Sequence, residues 1–448
     1  MSAPHQLTTE EFAKALKHGR GGAFMHVKQY GLAEVVDPVL ASCLKDPAYD
    51  RQCERSRAPW LFEMFRGTPQ YARFAVAIRS ALAHETEHYD VEHLCELLAL
   101  MGRDGDAAAA TALRGHVLDQ SFSADHTQAG CHALVVLDGG PAVVELVRRF
   151  ARLLAESPEA YMPSLEYLCD GTDVLPQAET TLRELAPADG AIQAFLRNRE
   201  AVDARSQDAP EVGPERRQQA IRERNRGRYP LEKILEDATA GAGDRPSRYM
   251  TFGRYATAAE LNTVLQRLAT EANPKACLRL LWVFRRASPP AIPPRIWEFT
   301  RAEDGEMRAA AIEALTQVRD PRIGEFGRAK LRSPEFRAGD SEVLDIFIRN
   351  YQPLDEKLIM AALERLEPGD DDAHALGSAI LDICERNASP ALAAMLEWVY
   401  RTNPCTICRE SAVKHLMDMG CLASGIAEEC LHDASEDVRR LVQPPAAA

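Results

Sequence analysis

Residues 305–333 read GEMRAAAIEALTQVRDPRIGEFGRAKLRS, and this stretch decides the fold. Met307, Ala311, Ala314, Leu315 and Val318 recur at helical spacing and form one apolar face. Asp320 then offers a short carboxylate to the free N–H groups that open a second helix. Pro321 follows at the first helical position, where its missing N–H costs nothing. Ile323, Phe326, Gly327 and Leu331 continue as a second apolar face. The prediction is a helix, a short Asp-Pro turn and a second helix, each with an oily side that needs a neighbour.

The same grammar extends outward. Tyr71, Phe74, Ala75, Ile78 and Leu82 mark one helix, and Leu94, Leu97, Leu98 and Met101 mark the next, with Asp90 as its expected cap. Asp104-Gly105-Asp106 reads as a turn before the stripe Ala110, Leu113 and Val117. Asp125 and Gln128 form a capping-box pair ahead of Ala133, Leu134 and Leu137. Asp138-Gly139-Gly140-Pro141 closes that helix and opens another, carrying Val143, Val144, Val147, Phe150 and Leu154. Runs of alternating β-branched residues are scarce. Leu, Ala, Glu and Arg dominate the composition, and those side chains lose little freedom in a helix.

A helix, an Asp-Pro turn and a helix resemble a HEAT unit. Arg308 and Asp320 stand where that family usually carries an Arg or Asp on its inner turn. The resemblance covers residues 305–333 well, 94–155 and 405–442 moderately, and the remainder by periodicity. It implies an all-α solenoid of stacked antiparallel helix pairs, with room for about nine to eleven units of ~40 to 47 residues. The segment 201–228 is charged, poor in apolar side chains and contains Gly213-Pro214, so it reads as a linker or an exposed helix. It separates helical repeats over 1–200 from a second set over 229–443. Residues 444–448 are expected to be a disordered tail.

Composition narrows the function classes. Of 448 residues, 46% are hydrophobic and 27% charged, which is enough to bury a core. The formal net charge of −14 repels phosphate backbones, so nucleic acid is not the first partner to consider. No apolar run approaches the ~20 residues of a membrane helix. Residues 1–20 lack an apolar segment of the secretory kind. The eleven Cys are therefore read as free thiols in a reducing compartment, and a cytoplasmic location is expected.

Three constellations could carry chemistry. His84-Glu85-Thr86-Glu87-His88 spells H-E-x-x-H, in which two His one turn apart bind zinc and the Glu acts as base. Here the stripe ending at Leu82 puts His84 about 200° from the core face, and the next helix starts directly after. A zinc-dependent hydrolase is thus an alternative reading, and a solvated turn the simpler one. Cys405-Thr406-Ile407-Cys408, after Pro404, places two thiols in a first helical turn, suited to metal or redox use. His415, Cys421, Cys430 and His432 lie downstream. Against this, Cys408 continues the stripe Ala412, Leu416 and Met419, and a free Cys packs as a small hydrophobe.

The third constellation is basic. Arg216, Arg217, Arg222, Arg224, Arg226 and Arg228, then Arg245, Arg248 and Arg254, with Tyr229, Tyr249, Phe252 and Tyr255 interleaved, could hold an anion or a nucleic acid through charge and stacking. Arg222, Arg226 and Arg254, with Arg285 and Arg286 of a separate cluster around Trp282, are the expected binding residues. Some HEAT-like families act on DNA through a basic concave face. Glu215, Glu223, Glu232, Glu236, Asp237 and Asp244 counter much of this charge. Phosphate-binding loops and catalytic-serine signatures are missing. The leading expectation is a non-enzymatic scaffold that binds another protein on its concave surface, with no cofactor and no membrane. Nucleic-acid or anion binding through the Arg-rich middle ranks second.

Overall fold

The structure is a computed structural model, and it describes residues 6–119, 122, 129–160, 162–207, 213–241 and 245–443. Among the described residues there are 27 α-helices, two 3-10 turns and no strand, so the chain is all-α. Among the described residues no helix is long and apolar enough to cross a membrane.

The local rules hold where the sequence was most explicit. Helix Gly305–Thr316 is capped by Asp304, whose carboxylate accepts from the Met307 N–H. Helix Pro321–Arg332 is capped by Asp320, which accepts from the Arg322 N–H. Asp106 caps Ala107–Leu118, and Gly139 separates Cys131–Asp138 from Gly140–Glu156 at a φ of 65°. One cap differs from expectation. Glu87, not Asp90, caps His88–Arg103. Asp90 is buried in the first turn, where it accepts from Lys45 Nζ at 2.9 Å and from the Asp46 N–H at 2.9 Å. The pair Asp125 and Gln128 lies outside the described residues, as does the tail 444–448. The stretch 201–228 contributes the end of helix Gly190–Gln207 and all of Pro214–Arg228. Its side chains from 216 to 220 are exposed.

The chain forms two compact units. The first comprises residues 1–210 and 424–448, the second 211–423. Helices from Ser424 onward thus belong with the first unit, although the composition break grouped them with the second.

Through most of the first unit a helix touches its next-but-one neighbour. Thr9–His18, Val36–Leu44, Tyr71–Leu82 and Ala107–Leu118 make one layer. Gly21–Tyr30, Ala58–Phe65, His88–Arg103, Cys131–Asp138 and the short Leu165–Leu168 make the other. The core between them is fully buried at Phe12, Phe65, Phe74, Leu94, Leu97 and Phe150, among others. Helix Ser424–Cys430 extends the second layer by packing on Gly21–Tyr30. The approach is close, because a Cβ on Gly21 would lie 1.9 Å from the Glu429 carbonyl oxygen. Arg20 grips the Glu429 carboxylate with two N–H groups, at 3.0 and 3.1 Å. The Ala434 N–H donates to Gly19 O at 2.8 Å, and Trp60 Nε1 donates to His432 O at 2.9 Å.

The second unit repeats the pattern. Pro274–Trp282, Gly305–Thr316, Glu342–Asn350, Asp370–Asn387 and Thr406–Asp418 touch in succession. Pro321–Arg332, Asp355–Leu363 and Ala393–Thr402 do the same on the other side. Its core is separate and includes Leu281, Phe284, Leu315, Phe347 and Ile380. One buried ion pair crosses it. Arg328 donates to both Asp355 oxygens, at 2.7 and 2.8 Å, and to Asn350 O at 3.3 Å, so the buried charge is well partnered.

Candidate functional site

A cavity of about 990 Å³ opens in the first unit. Five successive segments of one helix layer line it, together with the returning segment 431–439. Helix His88–Arg103 supplies the floor. Its spacing of four brings His88, Glu92, Glu96 and Leu100 to one face. Trp60 and Glu63 come from Ala58–Phe65, Phe24 from Gly21–Tyr30, and His132 from Cys131–Asp138. Tyr167 and Asp170 close one end. His432, Asp433 and Glu436 close the other, with the His432 ring stacked on Phe24 at 5.8 Å.

Glu92 and Glu96 set the electrostatics. Glu92 accepts from the Gly130 N–H at 3.0 Å, and Glu96 from the Ser56 hydroxyl. Among the described residues neither has an ion-pair partner. Burial raises Glu92 to about 7; the Gly130 hydrogen bond opposes this and the neighbouring Glu96 charge adds to it. Burial likewise raises Glu96, with the Ser56 hydrogen bond and the His132 ring acting against it. The cations on the rim are committed elsewhere. Arg51 donates to Glu87 at 2.9 Å, Arg55 lies 3.3 Å from Asp437, and Arg439 donates to the carbonyls of Asp433 and Ala434. The cavity is therefore aromatic on its walls and short of positive charge on its floor.

Sequence reasoning passed over this site. The signal was present in Val91-Glu92-His93-Leu94-Cys95-Glu96-Leu97-Leu98, where two like charges sit four apart on an apolar helix without a cation between them. It did single out the neighbouring His84-Glu85-Thr86-Glu87-His88. In the structure that motif is not on one helix. His84 ends the turn after Tyr71–Leu82, and His88 begins the next helix. Glu85 is turned to Lys45 at 2.6 Å and accepts from the Thr86 and Glu87 N–H groups. The Lys45 hydrogen bond, and then those two N–H groups, hold its carboxyl down at about 2. His84 Nδ1 faces Ser80 O at 2.9 Å. The metal-binding hydrolase geometry is absent here, because a helix break separates the two His.

The Arg-rich set is spread over separate elements of the second unit. Arg222 and Arg226 lie on Pro214–Arg228, and Arg254 lies on Pro246–Tyr255. Arg285 ends the turn Val283–Arg285, and Arg286 follows it. Arg226 pairs with Glu260 at 3.4 Å, and Arg285 pairs with Glu313. Arg222, Arg254 and Arg286 are exposed. Arg285 faces carboxylates on stacked helices. Burial raises Asp345 to about 7, with the Asp382 and Glu313 charges adding to the shift and Arg285 opposing it. Burial also raises Glu342 to about 7. Around Arg285 the field is set by carboxylates, which disfavours an anion there.

Cys405 and Cys408 stand at the start of helix Thr406–Asp418, Cys405 as its N-cap. Cys405 is buried and Cys408 half-buried. The structure adds a residue that sequence reasoning did not bring to them. His374, on helix Asp370–Asn387, places Nδ1 3.7 Å from Cys408 Sγ. The ligand atoms of His374, Cys405 and Cys408 all lie within 4.8 Å of one another.

Compared with known proteins, the chain matches no family model and no curated protein.

Proposed function

We propose that this all-α protein is a binding scaffold that takes a basic segment of another protein into the cavity of its first unit. The single observation behind this reading is the pair Glu92 and Glu96, half-buried, four residues apart and, among the described residues, without an ion-pair partner. A carboxylate whose pKa is raised by burial gains most from a cation that arrives and shares its desolvated site. Trp60, Tyr89 and Tyr167 on the walls suit the same guest, since aromatic faces attract ammonium and guanidinium groups. The net charge of −14 steers basic partners inward. The next-but-one packing that recurs in both units supports a reading of the chain as stacked helix pairs of the HEAT-like kind.

Titration of the full chain with an Arg- and Lys-rich peptide, followed by calorimetry and Trp fluorescence, tests the reading. Binding is expected, with none for a Glu-rich peptide of equal length. Glu92→Gln and Glu96→Gln together are expected to weaken it by about tenfold or more, as for the loss of charge-assisted hydrogen bonds. An affinity that the double variant leaves unchanged removes the cavity from the proposal.

A further inference from the structure

We infer that His374, Cys405 and Cys408 form a binding site for a soft divalent cation of the zinc type, in the second unit and independent of the cavity. The ligand set is the first argument. Imidazole with two thiolates is donor chemistry that selects zinc over calcium or magnesium.

Spacing is the second argument. Tetrahedral zinc with bonds of about 2.3 Å to sulfur and 2.0–2.1 Å to nitrogen sets ligand atoms roughly 3.6 to 3.8 Å apart. The separation of 3.7 Å between Cys408 Sγ and His374 Nδ1 matches this, and the whole triad lies within 4.8 Å. The three are drawn from two helices, so the match does not follow from C-x2-C spacing alone.

The third argument is the support behind the ligands. Asn403 is fully buried. Its side-chain oxygen accepts from the Cys405 N–H at 3.0 Å, and its amide donates to Ala373 O at 3.2 Å. One side chain thereby ties the residue before His374 to the residue that supplies the first thiol. The tie needs Gly377, because a Cβ there would lie 2.1 Å from Asn403 Nδ2. A glycine inside a helix costs stability, and here it admits the amide that holds two ligand-bearing elements together. Cys408 and His374 are both half-buried, which leaves a route of entry. Among the described residues three ligands converge, so the fourth position of a tetrahedron falls to water or an incoming donor.

Cobalt(II) titration of the reduced full chain tests the assignment, since thiolate ligation gives a charge-transfer band that carboxylate and imidazole alone do not. One equivalent is expected to bind with that band, and zinc to bleach it. H374A and C408S are each expected to weaken cobalt binding by at least about tenfold, and G377A, acting through Asn403, by about 10–100-fold. C53S, at an exposed cysteine, serves as the control and should leave the band intact. Helical circular dichroism of each variant separates loss of metal from loss of fold. The inference is overturned if the reduced protein shows no charge-transfer band. It is equally overturned if the band survives in a folded C405S/C408S double variant.

Discussion

At the scale of single residues, Glu92 shows how a binding group can weaken the fold that carries it. Its carboxyl titrates at about 7 in the folded chain against an ordinary 4.5. Between these values the folded state holds a proton that the unfolded state has released. The stability tied to this group is full below pH 4.5 and is lost as pH rises through about 7. Glu92→Gln keeps an oxygen for the Gly130 N–H and removes the charge. It should stabilise the protein by about 1–3 kcal/mol at pH 8 and by little at pH 4.5. Urea unfolding at the two pH values measures this. Equal stability of variant and parent at pH 8 would mean that the carboxylate is well solvated. A gain in stability joined to a loss of peptide binding is the pattern of a site kept for function.

At the scale of helices, the reading from sequence was good where a helix advertised its own ends. Asp320-Pro321, Asp106 and Gly139 each act within three residues of themselves, so they were legible. Asp90 was misjudged for the opposite reason. Its partners Lys45 and Asp46 are some 45 residues away, and a distant contact took the side chain from the cap position. Gly21 belongs to the same class, since only its meeting with Glu429 explains it. Gly21→Ala puts a carbon where the Glu429 carbonyl stands, and the packing of Ser424–Cys430 on Gly21–Tyr30 must open. A cost of about 1–3 kcal/mol is expected. Limited proteolysis should show faster cleavage after residue 423, together with weaker peptide binding, because His432, Asp433 and Glu436 leave the cavity wall. Unchanged cleavage would show that the helix relaxes without moving away.

At the scale of the molecule, fold class was legible because helical periodicity is local and repeated along the whole chain. The sites were not. The cavity gathers residues from positions 24 to 171 and 431 to 439, and His374 stands 31 residues before Cys405. Motif reading favours donors that are close in sequence, and so it paired Cys405 with Cys408 and did not reach His374. Net charge was the one global property read directly, and it bears on the proposed partner. Binding of a basic peptide should weaken as salt rises from 50 to 300 mM, most steeply for the on-rate. It should also strengthen as pH rises through about 7, because Glu92 is then charged. Stopped-flow measurement across salt and pH checks both slopes, and an on-rate indifferent to salt would argue for purely apolar docking.

The return of residues 424–443 to the first unit bears on how a ribosome makes this protein. Everything needed for the second unit, residues 211–423, is translated before the last wall of the first unit exists. Synthesis at about 5–20 residues per second leaves helices 9–207 waiting for more than ten seconds with Gly21 and Trp60 uncovered. A unit begun before residue 210 is thus completed only after residue 424 has been made. A chain cut after residue 423 would keep every residue of the second unit, while the cavity of the first would lack one wall.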